Sequence, residues 1–308
     1  MSSALSSPST FAFDDLTRDR SGHVRRRSWF DGAMRWLLPL LYLVAILPIL
    51  DLVYWVARGA FPSLSLATLT ANPTPGVGSG GGLYAPLMGS IAILALATAV
   101  ALALGFLGGL TTAEYLDERS AGIVRVTANV MAGTPSIVLG LFGYIAFVTF
   151  FGWGPSLAAA GVTLGIFMTP YVFRATDLAY TSVPPHIREA AVGAGARPVQ
   201  YLLRVASPIA LPQVLSGVFL AMAIGVGETA PIYLTTTAVV LPPLGLLAPA
   251  SALPLYIWSG FETGLVLPSA IALAYEAAFL LLVIVIGLNV LVRLVAARAR
   301  RRLEGLFQ

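Results

Sequence analysis

Whatever chemistry this 308-residue chain performs must rest on carboxylates and guanidinium groups. Its 18 basic residues are all arginine, cysteine is absent, and the only imidazoles belong to His23 and His186. A Walker-type phosphate loop and a Schiff base each need a lysine, so neither can form here. Thiol catalysis, disulfides, zinc fingers and clustered-histidine metal sites fall away with the missing cysteines and histidines. One acid stands apart: Glu228, in "GETAP" at Gly227–Pro231, is the single charge between Val205 and Phe261. A carboxylate inside a membrane span costs about 2.5–3.5 kcal/mol on insertion scales, which favours a cavity-facing, functional position. The alternative is a hydrogen-bonded residue that packs one helix on another. Asp51 and Glu276 also lie within apolar stretches. Asp51 is placed to snorkel outward and Glu276 to face a bundle interface.

A second cluster of polar residues is "EAAVGAGARPVQYLLRVASP", from Glu189 to Pro208, set between two long apolar stretches. Pro184 and Pro185 stop the preceding span, and Glu189, Ala190 and Ala191 are good helix formers. Gly195 can close that short helix in the left-handed conformation, and Pro198 suits the first turn of the next one. The spacing predicts a short helix, a tight joint and a second helix leading into the following span. Small alanines allow a partner surface to come close, and Glu189 offers it a charge. Read from residue types alone, the segment is either such a docking element or an ordinary amphipathic loop.

These residues need membrane elements to hold them. The chain is 57% hydrophobic and 10% charged, with a mean hydropathy of +0.86, far from the composition of a soluble domain. The expected fold class is an all-α integral membrane protein with six transmembrane helices. Residues 1–35, Ser-rich and then mixed-charge with Arg25–Arg27 and Arg35, read as a disordered basic cytosolic tail rather than a signal peptide. Residues 36–57, Trp36 to Ala57, form the first span, long enough at ~1.5 Å per residue to cross ~30 Å of hydrocarbon. Residues 58–85, containing "NPTPGVGSGGG", form an extracytoplasmic loop that cannot hold a helix.

The other spans fall within residues 86–293. Leu87–Leu110 is the second, and two more share the uncharged run Val126–Phe173, divided at "GWGP", Gly152–Pro155. A fifth ends near Val240 and an outer loop follows, and a sixth runs from Thr263 to Val292. Residues 294–308 are a basic tail. Glu228 lies 16 residues beyond Pro212, or ~24 Å along a continuous helix, which puts it in the outer half of the membrane.

The arginines orient this arrangement. Six lie before the first span, two follow the second span (Arg119, Arg125), four surround the segment at residues 184–208 (Arg174, Arg188, Arg197, Arg204) and five are at the C-terminal end. Only Arg58 of the 18 falls elsewhere. Under the positive-inside rule both termini and the 184–208 segment face the cytosol. Basic residues sorted by topology, not along one face, also argue against nucleic acid as a partner.

The string itself carries a resemblance. "EAA" at Glu189–Ala191, glycine at Gly195 and proline at Pro208 are similar, in spacing and predicted membrane side, to the EAA loop of bacterial ABC importer permeases. The resemblance implies the type I importer permease fold, with Glu189, Ala190, Ala191, Gly195, Arg197 and Pro208 coupling the chain to a cytosolic ATPase dimer. ATP and Mg would sit on that ATPase, with no cofactor in this chain. One departure is Ser207, where the family usually has leucine.

Over residues 80 to 295 the sequence most resembles the phosphate-specific, PstA-like branch of these permeases. "GETAP", "YLDE" at Tyr115–Glu118, "GTPSIVLGLFG" at Gly133–Gly143 and "PYVFRATD" at Pro170–Asp177 carry that likeness. It implies import of inorganic phosphate across the cytoplasmic membrane of a prokaryote, delivered by an extracytoplasmic phosphate-binding protein to a pore shared with a second permease. Hydrogen phosphate retains a proton that it can donate to the Glu228 carboxylate, and fully ionised sulfate has none. Glu228, Thr229 and Arg174 are the expected pathway residues, Arg174 being either a balancing cation or an arginine that only sets orientation. Many relatives have arginine four residues before the glutamate, where this chain has Ile224. Three other readings stay open: a permease for molybdate or sulfate, an ion-coupled carrier using Glu228 and Glu276 as a proton relay, and a scaffold whose arginines bind anionic lipid.

Overall fold

The computed structural model describes residues 13–74, 81–264 and 268–304. The chain divides at Trp55/Val56 into two units. The first is most of a single long helix, α1 (Phe13–Ala60), which has Pro39 and Pro48 within it and side chains exposed along its apolar stretch. The tail expected to be disordered over residues 1–35 is therefore helical from Phe13, while residues 1–12 lie outside the described ones. Acid-then-arginine spacings of four, Asp14 to Arg18 and Asp31 to Arg35, favour helix across this polar stretch.

The second unit is an all-helical bundle. A short helix α2 (Leu66–Thr70), capped by Ser65, sits in the segment expected to be a loop, and residues 75–80 of the glycine-rich stretch lie outside the described ones. Then follow α3 (Tyr84–Glu114), α4 (Glu118–Ala132), α5 (Ser136–Phe150), α6 (Leu157–Thr181), α7 (Pro185–Gly193) and α8 (Pro198–Gly225). After them come α9 (Ala230–Thr235), α10 (Leu253–Gly264) and α11 (Pro268–Glu304). Among the described residues, five stretches are long and apolar enough to cross a membrane: Met34–Ala60, α3, α6, α8 and Ala270–Ala297. The α4–α5 pair makes a sixth if its two helices, bent by 94°, count as one span.

Two expected spans are thus broken. The third turns sharply between α4 and α5 at Gly133–Pro135, where Pro135 cannot continue the helix of its predecessor. The fifth, expected to reach Val240, stops at Gly225. Pro231, at the second position of α9, lacks an N–H and would clash with the carbonyl of residue 227 in a continuous helix. The "GWGP" break falls where expected, with Gly152 and Gly154 at φ +68° and +67°. The outer loop folds back over the start of α6. Ser156, Leu157 and Ala158 donate their N–H groups to Thr235, Ala248 and Leu246 carbonyls at 3.1, 2.9 and 2.7 Å, satisfying donors that a helix start leaves orphaned.

The core lies between α3, α6 and α8. On α3, Gly105 and Gly109 lie against Thr169–Phe173 and Phe173–Asp177, and on α6, Gly161 and Gly165 lie against Leu96 and Val100. Both helices thus offer a Gly-x-x-x-Gly face, and the matching order of contacts makes them parallel. Helices in lipid gain little from burying apolar surface against each other, so close backbone approach through small residues supplies the packing. A Cβ at position 109 would stand 2.6 Å from the Phe173 carbonyl oxygen, which is backbone and cannot step aside. Gly109→Leu is expected to destabilise the fold by about 1–3 kcal/mol or more through overpacking. Thermal melting in detergent should register this as a lowered midpoint.

Candidate functional site

At one end of the bundle the C-termini of α3 and α6 meet α7 and the start of α8. Helix α7 begins behind Pro184 and Pro185 and ends in a turn in which Gly195 donates to the Val192 carbonyl at 2.9 Å and Ala196 to that of Ala191 at 3.0 Å. Gly195 has φ +79° and open space around it, so its requirement is conformational rather than steric. Arg197 then precedes α8, its N–H donating to Gln200 Oε1 at 3.0 Å, with Pro198 in the first turn. The helix–joint–helix expected from the sequence is present. Glu189, Ala190, Gly195, Arg197 and Pro208 are exposed, while Ala191 is half-buried against the core. Ser207, the departure from the usual leucine, hydrogen-bonds the Tyr180 hydroxyl at 2.8 Å and so ties α8 to the end of α6.

Two ion pairs brace this end. Arg125 on α4 donates from Nε and Nη2 to both oxygens of Asp177 on α6, at 2.7 and 2.8 Å, the fork geometry that makes arginine–carboxylate pairs strong. Arg188 on α7 pairs with Glu114 at the end of α3 and lies over the Tyr201 ring, 5.2 Å from its centroid. Its guanidinium is held above the ordinary arginine value by the Tyr201 hydroxyl first and the Glu114 charge second. Asp117 caps α4 by accepting from the Ser120 N–H at 3.3 Å, and hydrogen bonds from Ser120 hold its carboxyl below the usual value. That cap is intact above the ordinary carboxylate range and weakens as pH falls through the lowered value. None of these pairs was read from the sequence. Glu114 and Asp177 lie beside and within two of the strings that resemble the phosphate branch.

The second candidate region lies deeper. Gly225, the last residue of α8, abuts Met168 at the midpoint of α6, where a Cβ would come within 2.6 Å of Sδ. Glu228 is three residues farther on, past the helix end, half-buried, its N–H donating to the Gly225 carbonyl at 3.1 Å. It therefore sits at a break in the span, level with the middle of α6, and not along a continuous helix. Thr229 is half-buried beside it, and its carbonyl accepts from Tyr233 N–H at 2.8 Å. The wall opposite is built by "GTPSIVLGLFG". Gly140 of α5 meets Ala230 and Pro231, each 3.0 Å from where a Cβ would stand, and Gly143 meets Thr163. Irregular backbone at such depth is tolerated where it is buried in protein or lines an aqueous cavity.

Arg174 is exposed, and its neighbour Ala175 packs on Gly217. The levels of Met168 and Arg174 are six residues apart on α6, about 9 Å at the rise of an α-helix. Arg174 and Glu228 are not brought together, and among the described residues Glu228 has no ion-pair partner. Ile224 is half-buried against the core and supplies no cation. Glu276 is 2% exposed within α11, with Oε2 unpartnered.

Comparison with known proteins accords with this geometry. Residues 105–303 match the family described as "Binding-protein-dependent transport system inner membrane component". "Phosphate transport system permease protein PstA 2" of Mycobacterium tuberculosis is 34% identical over 263 residues, covering 84% of this chain and 85% of the relative. "Probable ABC transporter permease protein YqgI" of Bacillus subtilis is 29% identical, with 74% and 82% covered. In fold, the chain is similar to a structure titled "Inward facing conformations of the MetNI methionine ABC transporter", with a TM-score of 0.54 at 19% identity over 67% of this chain and 93% of that one. Bundle and sequence agree: the chain is a multi-pass protein of the prokaryotic inner membrane and belongs to the binding-protein-dependent transport system inner membrane component family, the permeases of ABC importers.

Proposed function

We propose that this permease admits inorganic phosphate, driven by ATP hydrolysis on a separate cytosolic ATPase dimer that seats on α7 and the joint at Gly195. The observation that carries the substrate is the likeness, over more than four-fifths of both chains, to a relative named a phosphate transport system permease. The carboxylate of Glu228 at a helix break gives that substrate a physical rationale. Hydrogen phosphate brings its own donor to a site with no paired cation, and sulfate cannot.

In this reading both termini and the coupling end face the cytosol, the orientation that the arginine distribution favours. A second permease completes the pore, and an extracytoplasmic binding protein loads it. Arg174, on the coupling side of Glu228, would meet the anion after the carboxylate does rather than neutralise it in place. A molybdate or sulfate permease is the alternative: Ile224 stands where the resemblance leads one to expect an arginine, so the likeness to the phosphate branch is incomplete at that position. Competition separates the two: with assembled transporter in vesicles, excess sulfate or molybdate leaves labelled phosphate uptake intact if phosphate is the substrate, and suppresses it if the site is a general oxyanion site.

A further inference from the structure

Glu114 ends α3 some 74 residues before Arg188, yet the two side chains pair directly. The carboxylate side chain is only 6% exposed, while the guanidinium is 47% exposed. Arg188 is also held on its other side by the Tyr201 ring in the first turn of α8. One arginine of the coupling helix therefore grips two different spans. The covalent route from α7 reaches α6 and α8 only. The ion pair adds α3, which has no chain connection to the coupling segment and is locked along its length to α6 through Gly105 and Gly109.

Three features mark this contact as a moving part and not only a brace. Glu114 has its second oxygen, Oε1, buried with no hydrogen-bond partner. Beside it is a cavity of about 280 Å³ lined by Glu114, Tyr115, Arg188, Val192, Pro198 and Tyr201 among others, so the pair has room to move as a unit with its helices. Helix α8 carries a π-helical turn directly after Tyr201, at Leu202–Ala206, and α3 carries one about two to three turns before Glu114, at Leu102–Phe106. Such turns leave a backbone that bends more readily than a regular helix.

We propose that Glu114 and Arg188 are positioning residues for coupling: the pair makes α3 follow α7, so that a push on the coupling helix moves α3 and α6 together. This rests on the reading of α7 as the ATPase contact. Removing Arg188 leaves the nearly buried Glu114 carboxylate uncompensated, whereas Glu114→Gln leaves only a half-exposed, solvated arginine and so breaks the link without burying a lone charge.

The chain has no cysteine, so two can be introduced cleanly. Spin labels at Leu107→Cys on α3 and His186→Cys on α7, both exposed positions, report the distance between the helices in the complete transporter with and without ATP. The expected result is a distance that does not change with ATP in the parent, changes or broadens with ATP in Glu114→Gln, and is fixed again in the charge swap Glu114→Arg/Arg188→Glu. Transport per ATP hydrolysed should fall at least about fivefold in Glu114→Gln with the ATPase still bound. A distance that already changes in the parent, or stays fixed in Glu114→Gln, overturns the proposal. Failure of the underlying reading shows separately, as Glu189→Lys that retains ATP-driven uptake.

Discussion

Glu189→Lys is expected to abolish ATP-driven uptake while the protein still inserts and folds. Glu189 is exposed on α7, and among the described residues it has no ion-pair partner within the chain, so its replacement leaves the bundle intact. The residue's value is outward. Together with Ala190 it presents one carboxylate on a surface of small side chains, at the end of the bundle where α3, α6 and α8 converge. On the proposal that the ATPase seats here, reversing this charge exchanges attraction for repulsion, and truncating one partner of a buried interfacial charge pair costs about 2–5 kcal/mol. Uptake should drop by on the order of thirtyfold or more at limiting ATPase concentration. Co-purification of the ATPase checks the cause: the variant should lose it while keeping its membrane yield and melting temperature.

The second large effect is expected at Glu228. Glu228→Gln keeps the size and one acceptor but replaces a carboxylate by an amide, which turns one acceptor edge into a donor. If hydrogen phosphate donates to this side chain, the amide leaves that proton a single neutral acceptor, and a charge-assisted hydrogen bond becomes an ordinary one. Hydrogen bonds to charged groups are worth about 1.5–3 kcal/mol against about 1 for neutral pairs. A three- to thirtyfold loss of phosphate uptake follows, with assembly and basal ATP hydrolysis unchanged. Discrimination against sulfate should fall in parallel. Unchanged uptake and selectivity would make Glu228 a packing residue at the helix break.

Much of the architecture was legible in the sequence. Runs of uncharged residues announce most of the spans, and the arrangement of proline and glycine around Glu189 announces a helix, a joint and a helix because each residue type there has one strong backbone preference. What escaped was of a different kind. The break at Gly225 is ambiguous in the sequence: Gly225, Gly227, Glu228 and Pro231 all interrupt a helical apolar run, but a single charge between apolar flanks reads equally as a functional residue within an unbroken span. The ion pairs Arg125–Asp177 and Arg188–Glu114 join residues 52 and 74 positions apart, and no local pattern encodes such distances.

The paired Gly-x-x-x-Gly faces at Gly105/Gly109 and Gly161/Gly165 were readable in principle. Glycine in an apolar run signals flexibility as readily as close packing, so the sequence alone does not single them out. At the N-terminal helix the signals conflict. Serines and mixed charge suggested disorder, yet past Phe13 the acid–arginine spacing favours helix. Of the candidate pathway, Glu228 and Thr229 are adjacent at the break, while Arg174 belongs to a different level, because nearness in sequence to the coupling segment says nothing about depth.

The most direct measurement is phosphate uptake into vesicles holding this permease with its partner permease, ATPase and binding protein, with and without ATP inside the compartment that the ATPase faces. ATP-dependent accumulation of phosphate that requires this chain, and that Glu189→Lys and Glu228→Gln each diminish, is the predicted result. Hydrolysis of ATP with no phosphate entering, while another oxyanion does enter, would contradict the assignment of phosphate.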